Sequence, residues 1–166
     1  MSSIDAAIND LYKTFGRYPR PAAVECCPCG CTKPDAATHL LVSSLRELRF
    51  LDLADYSFSA MTTQGSVDDF RYFLPRLFQG IVEEPYSYSD ETLFHKLSYA
   101  KWATWPLDEQ MALKRYLNAL WQCSLESFPI EERLPAFFEI RDGSFLNRTN
   151  WGTSGSLPEG LDGDDH

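Results

Sequence analysis

The sequence predicts an all-α fold, a single-domain helical bundle or a set of stacked helical hairpins with six to seven helices. Three observations predict it. Apolar residues recur at i, i+3, i+4 and i+7 in one segment after another. No stretch of four or more residues alternates apolar and polar between turn signals, so strands are not required. Glycines and prolines fall where the periodic segments stop. The 166 residues, 44% hydrophobic and 14% aromatic, suit one domain with a substantial core and are too apolar for a chain that stays unfolded. No fixed period repeats along the chain, which argues against a solenoid.

Ile4, Ala7, Ile8, Leu11, Tyr12 and Phe15 form the first helical stripe, with Gly16 placed to stop it and Pro19 beyond. From Arg17 to Pro34, prolines 19, 21, 28 and 34 forbid regular structure, so residues 17–34 form a loop. Asp35 is placed to cap a short helix reaching about Val42, and a second helix is expected from about Leu51 to Thr63, burying Leu53, Tyr56, Ala60 and Met61 and ending at Gly65. Ser66-Val-Asp-Asp69 then reads as a capping box, its hydroxyl taking an orphan amide and its acids meeting the positive end of the helix dipole. The clearest stripe follows: Phe70, Phe73, Leu74, Leu77, Phe78 and Ile81. Pro75 lies inside it and predicts a kink, because it removes the amide that would bond to the Arg71 carbonyl.

Pro85 and Ser87 to Asp90 read as a loop, and Leu93, Phe94, Leu97 and Ala100 as the next helix, closed before Trp105-Pro106. Pro106, Asp108 and Glu109 mark a helix start, and Leu113, Tyr116, Leu117, Leu120, Trp121 and Ser124 continue one face to about Ser127. A last helix is expected over Glu131 to Ile140, which sets the domain at residues 1–141. Residues 142–166, rich in Gly, Ser, Asn and Asp, are expected to be a flexible acidic tail.

Fifteen Lys and Arg against twenty-four Asp and Glu leave a formal charge of −9, although Glu159, Asp162, Asp164 and Asp165 crowd into the last eight residues. That balance argues against the phosphate backbone of nucleic acid and favours a basic partner. No apolar run approaches the roughly 18 residues that a bilayer span needs, and the first residues lack the pattern of a secretory leader. A cytoplasmic protein without a membrane anchor is the expectation.

The cysteines are the residues with the most evident chemistry. Four of the five, Cys26, Cys27, Cys29 and Cys31, occupy six positions, a crowding that does not close the useful loops of a secreted disulfide framework. Reduced thiols or a bound metal are expected instead. Cys26 and Cys29 have the Cys-x-x-Cys spacing that turns two sulfurs toward a tetrahedral zinc, with Cys31 close behind and His39 or Cys27 as a fourth ligand. The second separated knuckle of a strong zinc signature is missing, and a thiol-redox role for the same loop is the other chemical reading. Metalloprotease, phosphate-loop, dinucleotide and serine-hydrolase signatures do not occur. The three histidines, His39, His95 and His166, leave little material for imidazole catalysis, and no enzymatic activity is expected. Asp68 and Asp69 point in different directions on a helix and read as capping residues. Trp102, Trp105, Trp121, Tyr99 and Tyr116 read as core.

Asp69-Phe-Arg-Tyr-Phe-Leu-Pro-Arg-Leu77, preceded by Ser59-Ala-Met-Thr-Thr-Gln-Gly65, together with Leu45-Arg-Glu-Leu48 and Trp102-Ala-Thr-Trp-Pro-Leu-Asp-Glu-Gln110, resembles a group of small, largely uncharacterised bacterial cytoplasmic proteins. The likeness spans roughly Leu11 to Trp121. It implies a cysteine-rich stretch before the first motif, matching Cys26 to Cys31, and is loosely similar to the small partners found beside bacterial toxins. It supplies no catalytic residues. The leading expectation is a non-catalytic binding protein, an immunity protein that neutralises a basic toxin domain, with the acids Asp55, Glu83, Glu84 and Glu91 as candidate contacts. The alternative is a zinc-binding or thiol-redox protein acting through the Cys26 to Cys31 loop.

Overall fold

Five α-helices and three short 3-10 turns build the computed structural model, which describes residues 2–30, 37–84 and 90–127. The helices are α1 (Ser3–Phe15), α2 (Phe50–Ser59), α3 (Val67–Glu83), α4 (Asp90–Tyr99) and α5 (Leu107–Ser127), and no strand occurs among the described residues. The expected helix at 131–140 and the tail at 142–166 lie outside them.

α1 and α3 form where the sequence places a cap and an apolar stripe. In α1 the Ser2 side chain accepts the Asp5 amide while the Asp5 carboxylate takes the Ser2 amide, and Ile4, Ala7, Ile8, Leu11 and Phe15 are buried. Ser66 and Asp69 close the same reciprocal box at the start of α3. Behind it Phe70, Phe73, Leu74, Leu77, Phe78 and Ile81 are fully buried, each contributing about 1.5–3 kcal/mol of apolar burial. Pro75 is buried within α3, and the helix continues on both sides of it.

α1 packs mainly on α5 and α3, and α2 packs on α3 and α4, so α3 is the element shared by both halves of the core. Its approach to α2 is close. A Cβ on Gly80 would stand 2.5 Å from Cε1 of the buried Phe50 ring, so only glycine fits there. The Tyr116 hydroxyl of α5 donates to the Phe78 carbonyl at 2.7 Å and pins α5 to α3.

Two expected helices come out shorter. The segment capped by Asp35 reduces, in its described part, to a 3-10 turn at Thr38–Leu41. The second helix ends at Ser59 instead of Thr63, because Ala60 turns extended, Met61 takes a left-handed φ of 62° and the Ser59 carbonyl accepts the amides of Thr62, Thr63 and Gln64. The turn formed by residues 60–65 is held from outside: Cys27 N–H donates to Thr63 O and Gly65 N–H to Glu25 O, both at 2.8 Å. The cysteine loop therefore docks on the α2–α3 turn.

Candidate functional site

Three places combine charge, exposure or reactive atoms. The first is the outer face of α2. Phe50, Leu53, Tyr56 and Ser57 point inward, which turns Leu51, Asp55 and Phe58, spaced i, i+4, i+7, to the opposite face. Leu51 is 70% and Phe58 58% exposed. The 3-10 turn at Thr38–Leu41 packs against α2 and ends at Val42, which is 78% exposed. α2 contains no Lys or Arg. Asp52 is paired with Arg49 at 2.7 Å, whereas Asp55 has no ion-pair partner among the described residues.

The other predicted contact acids are also on the surface but are spread over different elements. Glu83 ends α3 and takes hydrogen bonds from Gln79 (2.5 Å) and Arg76 (3.4 Å), Glu84 caps that helix, and Glu91 opens α4 at 3.9 Å from His95.

The second place is the cysteine loop. Cys27 and Cys29 are joined by a disulfide with their Cα atoms 5.3 Å apart. The reduced state expected for these two thiols is not the one found. Of the predicted zinc ligands, Cys26 keeps its thiol, Cys29 is in the disulfide and Cys31 lies outside the described residues. His39 places Nε2 3.0 Å from the Asp52 carbonyl. A carbonyl only accepts, so Nε2 is the donor in this contact. Among the described residues no three His, Cys, Asp or Glu side chains gather in a metal-holding group.

The third place is a buried polar cluster at the α1, α3 and α5 junction, which sequence reasoning missed. Glu109 is fully buried, accepts the Tyr18 hydroxyl at 2.7 Å, and lies 3.7 Å from Arg71 Nε and 3.9 Å from Arg17 Nη1. Arg71 also pairs with Asp68 at 3.0 Å and lies over the Trp105 ring at 4.4 Å. Burial, with the hydrogen bond to Glu109 next, pushes the Tyr18 phenol up to about 12. Glu109 Oε2 and Arg71 Nε make no hydrogen bond to each other, so their attraction is purely that of an ion pair.

Most residues of the Asp69 to Leu77 motif are thereby accounted for by the fold. Asp69 caps, Phe70, Phe73, Leu74 and Leu77 fill the core, and Arg71 balances Glu109. Arg76 donates to Leu48 O at 2.6 Å while lying 4.2 Å above the Phe50 ring. Lys96 was also missed. Its Nζ is buried, donates to Ala60 O (2.8 Å) and Thr62 Oγ1 (3.3 Å), and has no carboxylate partner among the described residues. Burial lowers its pKa. Of the aromatics read as core, Trp102, Trp105 and Tyr116 are buried and Trp121 packs at the edge, but Tyr99 is 60% exposed.

A groove of about 490 Å³ lies between α1 and α5, lined by Ala6, Ala7, Asp10, Arg115 and Ala119 among others. Arg115 and Asp10 pair across it at 2.5 Å. No helix among the described residues is long and apolar enough to cross a membrane. No known protein family, curated protein or solved structure matches the chain.

Proposed function

We propose that this chain is a non-catalytic binding protein that engages a basic protein partner through the outer face of α2. The supporting observation is the pair of exposed anchors, Leu51 and Phe58, on either side of the unpaired acid Asp55 on a helix without a single basic residue. Anchors at i and i+7 are the spacing with which an amphipathic helix enters an apolar groove. An acid between them, on a chain of charge −9, favours a groove with a basic rim and speeds the encounter electrostatically. The most specific form of the reading is an immunity protein that occupies the basic cleft of a toxin domain. The resemblance of the motif segments to small proteins found beside toxins supports that form, and Glu83, Glu84 and Glu91 are its peripheral acidic contacts.

The test is co-expression with the products of the genes on either side of this one, comparing the wild type with a Leu51→Asp, Phe58→Asp double variant. Both positions are solvent-exposed, so the variant is expected to fold with unchanged helix content. The wild type is expected to co-purify with the partner and relieve growth arrest, and the variant to do neither. Equal protection by both chains removes α2 as the interface, and no binding by the wild type removes the reading.

A further inference from the structure

The cysteine loop has an asymmetry that the binding reading does not use. A disulfide across a single intervening residue removes little entropy from the unfolded chain, so Cys27–Cys29 does little as a staple. Its two sulfurs sit in different surroundings. Cys27 is half-buried, and its N–H donates to Thr63 O at 2.8 Å, which ties this side of the loop to the α2–α3 turn. The β-bridge between Cys26 and Gln64 and the Gly65 to Glu25 hydrogen bond reinforce that tie. The Cys27 sulfur also receives the Cys29 amide at 3.2 Å. Cys29 is exposed, and beside it Gly30, at φ +73°, has open space around it.

We propose that Cys27–Cys29 is a redox-active disulfide that exchanges with an external dithiol, with Cys29 as the attacked sulfur and Cys27 as the leaving one. Exchange runs by attack of a thiolate on one sulfur, expelling the other as a thiolate. The partner's thiolate attacks the exposed Cys29 Sγ, the Cys27–Cys29 bond breaks, and its electron pair leaves on Cys27 Sγ. The Cys29 amide already points at that sulfur and stabilises the negative charge, as donors do for thiolates. The partner's second thiol then attacks its own sulfur in the mixed disulfide. Cys29 is released as a thiolate and the partner departs as a disulfide, so two electrons reach the cysteines and two protons follow. Anchoring of Cys27 on the turn keeps the leaving sulfur in place, while exposure leaves Cys29 open to attack.

The experiment uses the folded full-length chain in a ladder of reduced and oxidised dithiothreitol, acid-quenched, alkylated and mapped by peptide mass. The expected result is a reversible gain of two labels, on Cys27 and Cys29, with the far-ultraviolet circular dichroism unchanged. Brief exposure to glutathione, a monothiol that stalls at the mixed disulfide, is expected to leave its adduct on Cys29. An adduct mainly on Cys27 overturns the assignment of roles. A bond that yields only once the protein is unfolded overturns the redox role. Protein that carries zinc on reduced Cys27 and Cys29, shielded from alkylation until chelator is added, overturns it as well and restores the metal reading.

Discussion

Removing the Glu109 carboxylate tests the buried cluster most directly. Glu109→Ala takes away the acceptor of the Tyr18 hydroxyl at 2.7 Å and the counter-charge 3.7 Å from Arg71 Nε. The Arg71 side chain, 17% exposed, is left with Asp68, whose own side chain is 73% exposed and therefore mostly solvated. Breaking one side of a buried pair costs about 3–5 kcal/mol, and the remaining Asp68 contact places this case near about 3. That is a large share of the roughly 5–15 kcal/mol that holds a domain together. Glu109→Gln keeps an acceptor for Tyr18 and loses only the charge, so it is expected to cost about 1–2 kcal/mol. Urea unfolding followed by circular dichroism reads this as a midpoint lowered by about 1–3 M for Glu109→Ala, given slopes of about 1–3 kcal/mol per molar. Adding Arg71→Met removes the stranded cation, and the double variant is expected to be more stable than the sum of the singles by about 1–3 kcal/mol. A Glu109→Ala protein within about 1 kcal/mol of the wild type, or strict additivity with Arg71→Met, would falsify the account of a coupled buried pair.

Three further outcomes are expected from other parts of the structure. Gly80→Ala, which helix propensity alone would favour by about 1 kcal/mol, is expected to destabilise by about 1–3 because the methyl meets the Phe50 ring; thermal unfolding measures the sign. Tyr56→Phe is expected to stabilise by about 1 kcal/mol, since its hydroxyl is buried without a hydrogen-bond partner among the described residues, and a lower unfolding midpoint would contradict that. Stability is expected to fall as pH rises from about 10 to about 12, where Tyr18 is still protonated in the folded chain but ionised in the unfolded one. Below pH 10 the Tyr18 contribution is fully present. Lys96 acts in the opposite sense, because losing its proton relieves a buried charge, but that gain is complete by about pH 10.5. Unfolding midpoints measured across this range in the wild type and in Tyr18→Phe are expected to converge as the pH rises, since only the wild type loses the hydrogen bond.

The helices and their buried faces were legible because helical periodicity is local. Capping, stripe and breaker all sit within a few residues of one another, as in Ser66 to Ile81. The end of α2 was not legible for the opposite reason. Ala60 and Met61 continue an apolar helical pattern, and hydrogen bonds with distant parts of the chain, from Cys27 and Lys96 to the turn and from Gly65 to Glu25, make the sharper turn preferable. The exposed anchors were half legible: placing Leu53 and Tyr56 inward leaves Leu51 and Phe58 on the other side, but exposure depends on what else packs there.

Glu109 and Lys96 mark the limit most clearly. As letters, one reads as a first-turn acid and the other as a surface cation, and both readings are consistent with their local context. Burial of a charge is decided by which helices meet over it and whether they bring a partner. Arg71, Tyr18 and Arg17 arrive from two other stretches of chain for Glu109, and a turn carbonyl 36 residues away arrives for Lys96. The sequence thus determined where helices form and which faces seek one another, since those follow from nearest-neighbour backbone physics. Tertiary structure alone decided which polar groups are stranded together in a medium of low dielectric, where their interactions are strong enough to matter.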